Sequence, residues 1–119
     1  MKTIGISLRL EDSFDQEVVM GIVRYARSRT DISLRGSGGG LRPLSFSGSD
    51  RCDAVIARIE DESAAHSFAA LGVPVLDVAG GFPHPHIHRI QNDEYGTGRV
   101  AAAYLSRLGA SRFAWCGVA

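Results

Sequence analysis

The chain has few cysteines and no excess of charge of either sign, and both shortages narrow its possible functions. Cys52 and Cys116 stand alone, without the spacing of a metal site. Cys116 lies in an apolar strand pattern and is predicted to be a buried thiol. Thirteen basic residues balance thirteen acidic ones. Direct contact with nucleic acid is therefore not expected from these residues, since a domain that binds nucleic acid by itself usually has a basic excess.

Long apolar runs and targeting segments are missing as well. No run is long enough to span a membrane, and no secretory signal precedes the first strand pattern. We therefore expect no membrane association and a cytoplasmic location.

Common catalytic motifs are also missing from the sequence. It has no Walker motif and no Gly-x-Ser-x-Gly nucleophile elbow. The glycines of 96–98 fall inside a predicted helix rather than in a strand-to-helix turn, so they do not form a dinucleotide fingerprint. We expect neither an enzyme nor a cofactor. A flavodoxin-like or nucleotide-binding enzyme is the rival hypothesis, and a nucleotide or flavin bound to the purified protein would revive it.

Apolar strand patterns alternate with amphipathic helices along the chain. The predicted strands cover 3–8, 31–35, 53–59, 73–78, 86–91 and 112–117, and the predicted helices cover 13–26, 62–71 and 93–108. The run at 53–59 is almost continuously apolar, as in a parallel strand covered on both faces. Repeated βα units of this kind predict an α/β domain with a mostly parallel sheet in three layers, αβα.

The helix ends carry recognisable signals. Ser13 and Gln16 fit a capping box at the start of the first helix. Gly109 is predicted as the C-cap of the third helix. Five apolar residues of that helix recur at helical spacing and are predicted to face inward: Val100, Ala101, Tyr104, Leu105 and Leu108.

One segment interrupts the alternation, and the chain ends soon after a strand pattern. Residues 36–50 are rich in Gly and Ser and are predicted to form a long, flexible loop. A free-standing α/β domain would usually continue with a helix covering the last strand. We therefore expect residues 1–119 to be a single lobe of a larger ligand-binding unit, or a piece of one.

The candidate site lies at the carboxyl ends of the predicted strands, where open α/β sheets bind their ligands. Five residues there have the chemistry that a sugar needs, which is an aromatic ring for its C–H face and groups that hydrogen-bond its hydroxyls. They are Phe14, Asp15, Arg58, Asn92 and Asp93.

Simpler roles explain the same residues individually. Asn92 or Asp93 would also serve as a helix cap. Arg58 would also pair with Glu60 or Asp61. Grouping at strand ends favours ligand binding for the set as a whole.

Three histidines alternate in a proline-rich stretch at His84, His86 and His88. Spacing of two would place them on one side of an extended chain, as a metal site requires. Pro83 and Pro85 instead favour an exposed extended loop, and we do not predict a metal there.

The residues in 14–25, Phe-Asp-Gln-Glu-Val-Val-Met-Gly-Ile-Val-Arg-Tyr, are similar to the opening of xylose-operon-type regulators. Further matches follow in the same order at 53–59, 73–78, 92–101 and 112–117. The resemblance implies a lactose-repressor-like, periplasmic-binding-protein fold with a flavodoxin/Rossmann-like subdomain. It also implies that Asp93 contacts ligand hydroxyls and that Phe14 and Asp15 line the cleft.

In that family two lobes enclose a sugar, and their rearrangement is passed to an AraC-type helix-turn-helix module. The resemblance therefore implies the N-terminal lobe of a transcription regulator, with a pentose or similar small carbohydrate as effector and DNA contacted by a different module. A lone lobe supplies half a cleft, so its own sugar affinity should be poor, and its exposed face favours a homodimer. A transport-type sugar-binding protein and a pure dimerisation module are the alternatives.

Overall fold

The computed structural model describes residues 1–36 and 51–117, which form five strands and three helices. In chain order these are β1 Lys2–Ser7, α1 Ser13–Arg27, β2 Ile32–Gly36, β3 Ala54–Ala57, α2 Glu62–Ala69, β4 Val75–Asp77, β5 His88–Arg89 and α3 Glu94–Arg107. All neighbouring strands are parallel, in the order β2-β1-β3-β4-β5. The predicted α/β class with three-layer αβα architecture is confirmed. Nearly all of the predicted loop at 36–50 lies outside the described residues.

The centre of the sheet joins segments that are far apart in sequence. Ile4 of β1 lies opposite Ala54 of β3, and Val55 lies opposite Val75 of β4. Just before β3, the Asp53 backbone N–H donates to the Thr3 carbonyl, and the Asp53 carboxylate accepts the Thr3 N–H, both at 2.7 Å. These bonds set the register in which the ends of β1 and β3 lie side by side.

One face of the sheet carries the buried core. Side chains of β3 and β4 that point to this face pack against Ala65 and Phe68 of α2, which are fully or almost fully buried. The remaining core members are Cys52, Val55, Ala57, Ile59, Val75 and Ile87. Because side chains alternate in direction along β3, Val55 and Ala57 point to this face and Ile56 points to the other.

The opposite face is only partly covered. α1 lies along it beside β2, and Ile4, Ile56 and Leu76 stay half-buried although they belong to the central strands. Between α1 and these strands is an open apolar cavity of about 640 Å³. We call it the apolar trough; its lining includes Ile4, Ile22, Tyr25, Leu34, Ile56 and Leu76.

The capping prediction for α1 is wrong by one residue. Asp12, not Ser13, is the N-cap, and its carboxylate accepts the Phe14 N–H at 2.8 Å. The Gln16 side chain donates instead to the Leu10 carbonyl at 2.6 Å. A carboxylate at the N-cap satisfies a free helix donor as well as a hydroxyl does and also complements the helix dipole, which explains the shift.

Several predictions for the last third of the chain are wrong. α3 forms, with Leu108 as its C-cap and Gly109 one residue further on at φ +89°, but it buries no residue. Its predicted inward face is exposed. Residues 112–117 form no strand, and Cys116 is exposed rather than buried. A strand needs a neighbour, and β5 is the last strand of the described sheet, with only two residues paired.

Candidate functional site

An ion pair between α1 and the end of β3 forms the centre of the candidate site. Asp15 lies in the first turn of α1 and is completely buried, while Arg58 directly follows β3. Arg58 Nη2 and Nε donate to Asp15 Oδ1 and Oδ2 at 2.6 and 2.9 Å. The Arg9 backbone N–H adds a third bond, to Asp15 Oδ2, at 2.7 Å. Both carboxylate oxygens of Asp15 are therefore engaged within the protein.

The surroundings of the pair favour the charged form of both side chains. Burial by itself raises the pKa of Asp15, but the Arg58 hydrogen bonds, the Arg9 N–H and the nearby positive charges outweigh burial and lower that pKa below its usual value. Arg58 responds in the opposite direction, since its hydrogen bonds to Asp15 raise its pKa. Asp15 is thus ionised and Arg58 is held as a cation in a fixed orientation.

The remaining surface of the Arg58 guanidinium is bounded by an aromatic ring and by a second carboxylate. The Phe14 ring lies 5.9 Å from its central carbon, and Nη1 lies 3.5 Å from Glu60 Oε1. Glu60 also pairs with Arg9. The planar guanidinium is therefore bounded by an aromatic ring on one side and by carboxylates at its edge, an arrangement that fixes the direction of its remaining N–H groups.

Phe14 and Asn92 line a common cavity of about 480 Å³ at the same edge of the sheet. α1 contributes Phe14, Glu17, Val18 and Ile22 to its wall, and the ends of β3 and β4 and the segment before α3 contribute Ile56, Leu76, Val78, Ile90, Gln91 and Asn92. Phe14 is 43 % exposed and contacts both this cavity and the Arg58 guanidinium. The structure thus links four of the five predicted site residues: Asp15 binds Arg58, Arg58 contacts Phe14, and Phe14 lines a cavity with Asn92, although Arg58 itself does not line that cavity.

Asp93 has a different role in the described structure. Its Oδ1 accepts the Gly96 N–H at 2.8 Å, which makes it the N-cap of α3. Its backbone carbonyl accepts the Thr97 hydroxyl at 2.9 Å. The capping alternative therefore accounts for one carboxylate oxygen of Asp93, while the predicted ligand contact stays a prediction.

Asp77, which was not among the predicted site residues, organises the end of the neighbouring strand β4. This completely buried carboxylate accepts the N–H groups of Ile59, Ala79 and Gly80 at 3.1, 2.8 and 3.0 Å. Gly80 has a φ of +67°, and a Cβ there would collide with the Gln91 side chain. The sequence did contain a signal for this role of Asp77: an acidic residue at the end of an apolar strand, followed closely by two glycines.

Arg9 and Glu60 were also missed as individual site residues, although both fall in the strand-end segments. Arg9 supplies the backbone donor to Asp15 and the ion pair to Glu60. The ion pair joins residues 51 positions apart and therefore has no spacing signature. The bond to Asp15 spans only six positions, but its donor is a backbone N–H, which side-chain spacing does not indicate.

The histidine cluster lies away from these groups. His84 contacts the rings of His66 and His86 at centroid distances of 5.5 and 5.7 Å, and His88 belongs to β5. Within residues 1–36 and 51–117, no group of three or more potential ligands is placed to hold a metal ion.

Comparison of the chain with protein-family models, curated proteins and solved structures finds no match. Across the described segments, none of the helices has both the length and the apolar character needed to cross a membrane.

Proposed function

We propose that this chain is an effector-binding lobe that takes a small polyhydroxylated ligand of pentose size at the carboxyl edge of its sheet. One observation carries the proposal: the buried Asp15 carboxylate orients the Arg58 guanidinium against Phe14, and Phe14 in turn lines the cavity that contains Asn92. A cavity of about 480 Å³ is within the size range of small-molecule sites, roughly 300–1,000 Å³.

Each side chain has a distinct part in this proposal. Arg58 offers N–H donors to ligand hydroxyls, Phe14 offers a ring to the C–H face of the sugar, and Asn92 offers both a donor and an acceptor. Asp15 acts through Arg58 as a positioning residue, because its own oxygens are occupied. Asp93 keeps one carboxylate oxygen beyond its capping bond for a ligand hydroxyl.

The regulatory part of the proposal rests on the resemblance to xylose-operon-type regulators. In such a protein the ligand stabilises one arrangement of two lobes over another, and it shifts the population by its difference in affinity for them. DNA would be contacted by a separate helix-turn-helix module, and the protein would act in the cytoplasm without catalysis. The charge balance supports a partner other than DNA for the lobe itself.

NMR-detected titration with a panel of pentoses and hexoses tests the proposal, because it registers the weak binding expected of half a cleft. We expect a pentose to shift the amide resonances around Phe14 and Asn92. Phe14→Ala should weaken the fitted affinity at least about tenfold, the loss of roughly one good contact. Met20→Ala is the matched control, since Met20 lies on the same helix and is similarly exposed, at 47 % against 43 %.

Two results would reject the ligand proposal. One is the absence of resonance shifts with every sugar at high millimolar concentration. The other is an affinity that Phe14→Ala leaves equal to that of Met20→Ala, because the bound sugar would then lie elsewhere.

A further inference from the structure

Gln91 lies in the wall of the candidate ligand cavity, next in sequence to Asn92. Its Nε2 donates to the Gly80 carbonyl at 3.0 Å, and Arg89 Nη1 donates to the same carbonyl at 3.3 Å. A carbonyl oxygen can only accept, so the amide NH₂ of Gln91 has to face Gly80. Among the described residues, none donates a hydrogen bond to Gln91 Oε1. The Gly80 contact therefore decides which end of this amide is left for a ligand.

The Gly80 carbonyl is itself held in place by the end of β4. The buried Asp77 carboxylate accepts the Gly80 N–H at 3.0 Å and the Ile59 N–H, from the end of β3, at 3.1 Å. The Asp77 carbonyl also accepts the Ile90 N–H at 2.9 Å. Asp77 therefore fixes both Gly80 and the residue before Gln91. A side chain held in this way loses little further freedom when a ligand binds, which favours affinity.

The contact between Gln91 and Gly80 depends on the glycine. The φ of Gly80 is +67°, a conformation that residues with a side chain rarely adopt. A Cβ at Gly80 would collide with Gln91 Nε2 and would lie only 2.6 Å from Gln91 Cδ. These atoms are the flexible end of a side chain, so the amide would swing away from the Gly80 carbonyl. The orientation of Gln91 is therefore possible only without a side chain at position 80.

We propose, on the basis of the ligand function proposed for this cavity, that Gln91 is a further binding residue whose Oε1 accepts a hydrogen bond from a ligand hydroxyl. Glu17 lines the same cavity with a carboxylate, so the wall offers acceptors at two points. Such a wall suits hydroxyl groups, which can donate, better than carboxylate groups, which only accept. Asp77 and Gly80 act through Gln91 as positioning residues.

Two glycine substitutions isolate the orientation of Gln91. Gly80→Ala displaces the amide and leaves the glutamine itself in the chain. Gly72→Ala is the matched control, because Gly72 has nearly the same φ, +69°, but a Cβ there would meet no atom within 4 Å beyond its chain neighbours. Both variants impose the same kind of backbone strain. In NMR titrations with the pentose that gives the largest shifts, we expect Gly80→Ala to weaken the affinity about fivefold, the loss of one hydrogen bond, and Gly72→Ala to leave it unchanged.

Gln91→Ala distinguishes the loss of a ligand contact from a distortion of the turn at Gly80. Gln91 is exposed, so the substitution should leave the protein folded. It should weaken pentose binding by the same factor as Gly80→Ala. The double variant Gly80→Ala/Gln91→Ala should bind no more weakly than either single variant, because both changes remove the same contact.

The possible results separate this role from the ligand proposal itself. If Phe14→Ala weakens pentose binding but Gln91→Ala binds as well as Gly72→Ala does, Gln91 is not a binding residue and the ligand proposal stands. Additive losses in the double variant would show that Gly80→Ala acts by distorting the turn, which rejects the orienting contact. Absence of binding by every sugar rejects the ligand proposal and the role of Gln91 with it.

Discussion

Asp15 and Arg58, 43 positions apart, form a two-bond ion pair in which Nη2–Oδ1 is 2.6 Å and Nε–Oδ2 is 2.9 Å. The side chain of Asp15 is completely shielded from solvent and that of Arg58 is 16 % exposed. This pair joins the start of α1 to the end of β3 and thereby fixes two sides of the candidate site. Removing one partner would leave a buried charge without a counterion, which costs far more than losing a surface pair.

Asp15→Asn should lower the free energy of unfolding by about 3 kcal/mol, because the amide NH₂ would face the Arg58 donors in a buried position. Urea denaturation followed by circular dichroism measures this change. Asp31→Asn is the control: Asp31 pairs with Arg29 on the surface, and its loss should scarcely move the midpoint. Equal effects of the two substitutions would show that the Asp15–Arg58 pair contributes no more than an exposed one.

Stability should depend on pH in the acid range because the pKa of Asp15 is lowered in the folded state. In the unfolded chain the group titrates near its usual value of about 3.9. The stabilisation is therefore complete above that pH and is lost as pH falls from there through the lower folded pKa. Urea midpoints measured between pH 6 and pH 2.5 should fall below about pH 4, and less steeply in Asp15→Asn. Parallel curves for the two proteins would contradict this assignment.

The two thiols should react very differently with a maleimide. Cys116 is exposed, whereas Cys52 is only 7 % exposed within the core cluster. Mass spectrometry of the native protein should therefore show rapid addition of one label at Cys116, and a second label only after unfolding. Rapid labelling at both positions, or protection of Cys116, would contradict the described arrangement.

Periodicity predicted the elements more accurately than their partners. The run at 53–59 reads correctly as a parallel strand because continuous Val, Ile and Ala residues need cover on both faces. The stripe of Val100, Tyr104 and Leu105 correctly indicates a helix, yet its predicted burial is wrong for the described chain. An apolar stripe indicates that one face of a helix is to be buried, but it does not identify the surface against which that face packs.

For the candidate site, too, the sequence predicted the residues better than it predicted their partners. Strand-end position brought Phe14, Arg58 and Asn92 into consideration, and the structure links them through shared contacts. The simpler alternative paired Arg58 with Glu60 or Asp61; Glu60 does lie 3.5 Å from Nη1, and Asp15 adds two shorter bonds that sequence spacing did not predict. Local spacing favours neighbours, whereas a parallel sheet brings together residues that follow different strands.

The bonds between Thr3 and Asp53 have a kinetic consequence, because they close a separation of 50 residues. β1 is an interior strand of the sheet, yet its two neighbours lie about 30 and 50 residues further along the chain. The helices can form locally within microseconds, but these pairings must first overcome the entropy of loop closure. Refolding of this chain should accordingly be governed by the rate at which β3 pairs with β1, and changes in the length of the segment between β2 and β3 should alter that rate more than they alter the final stability.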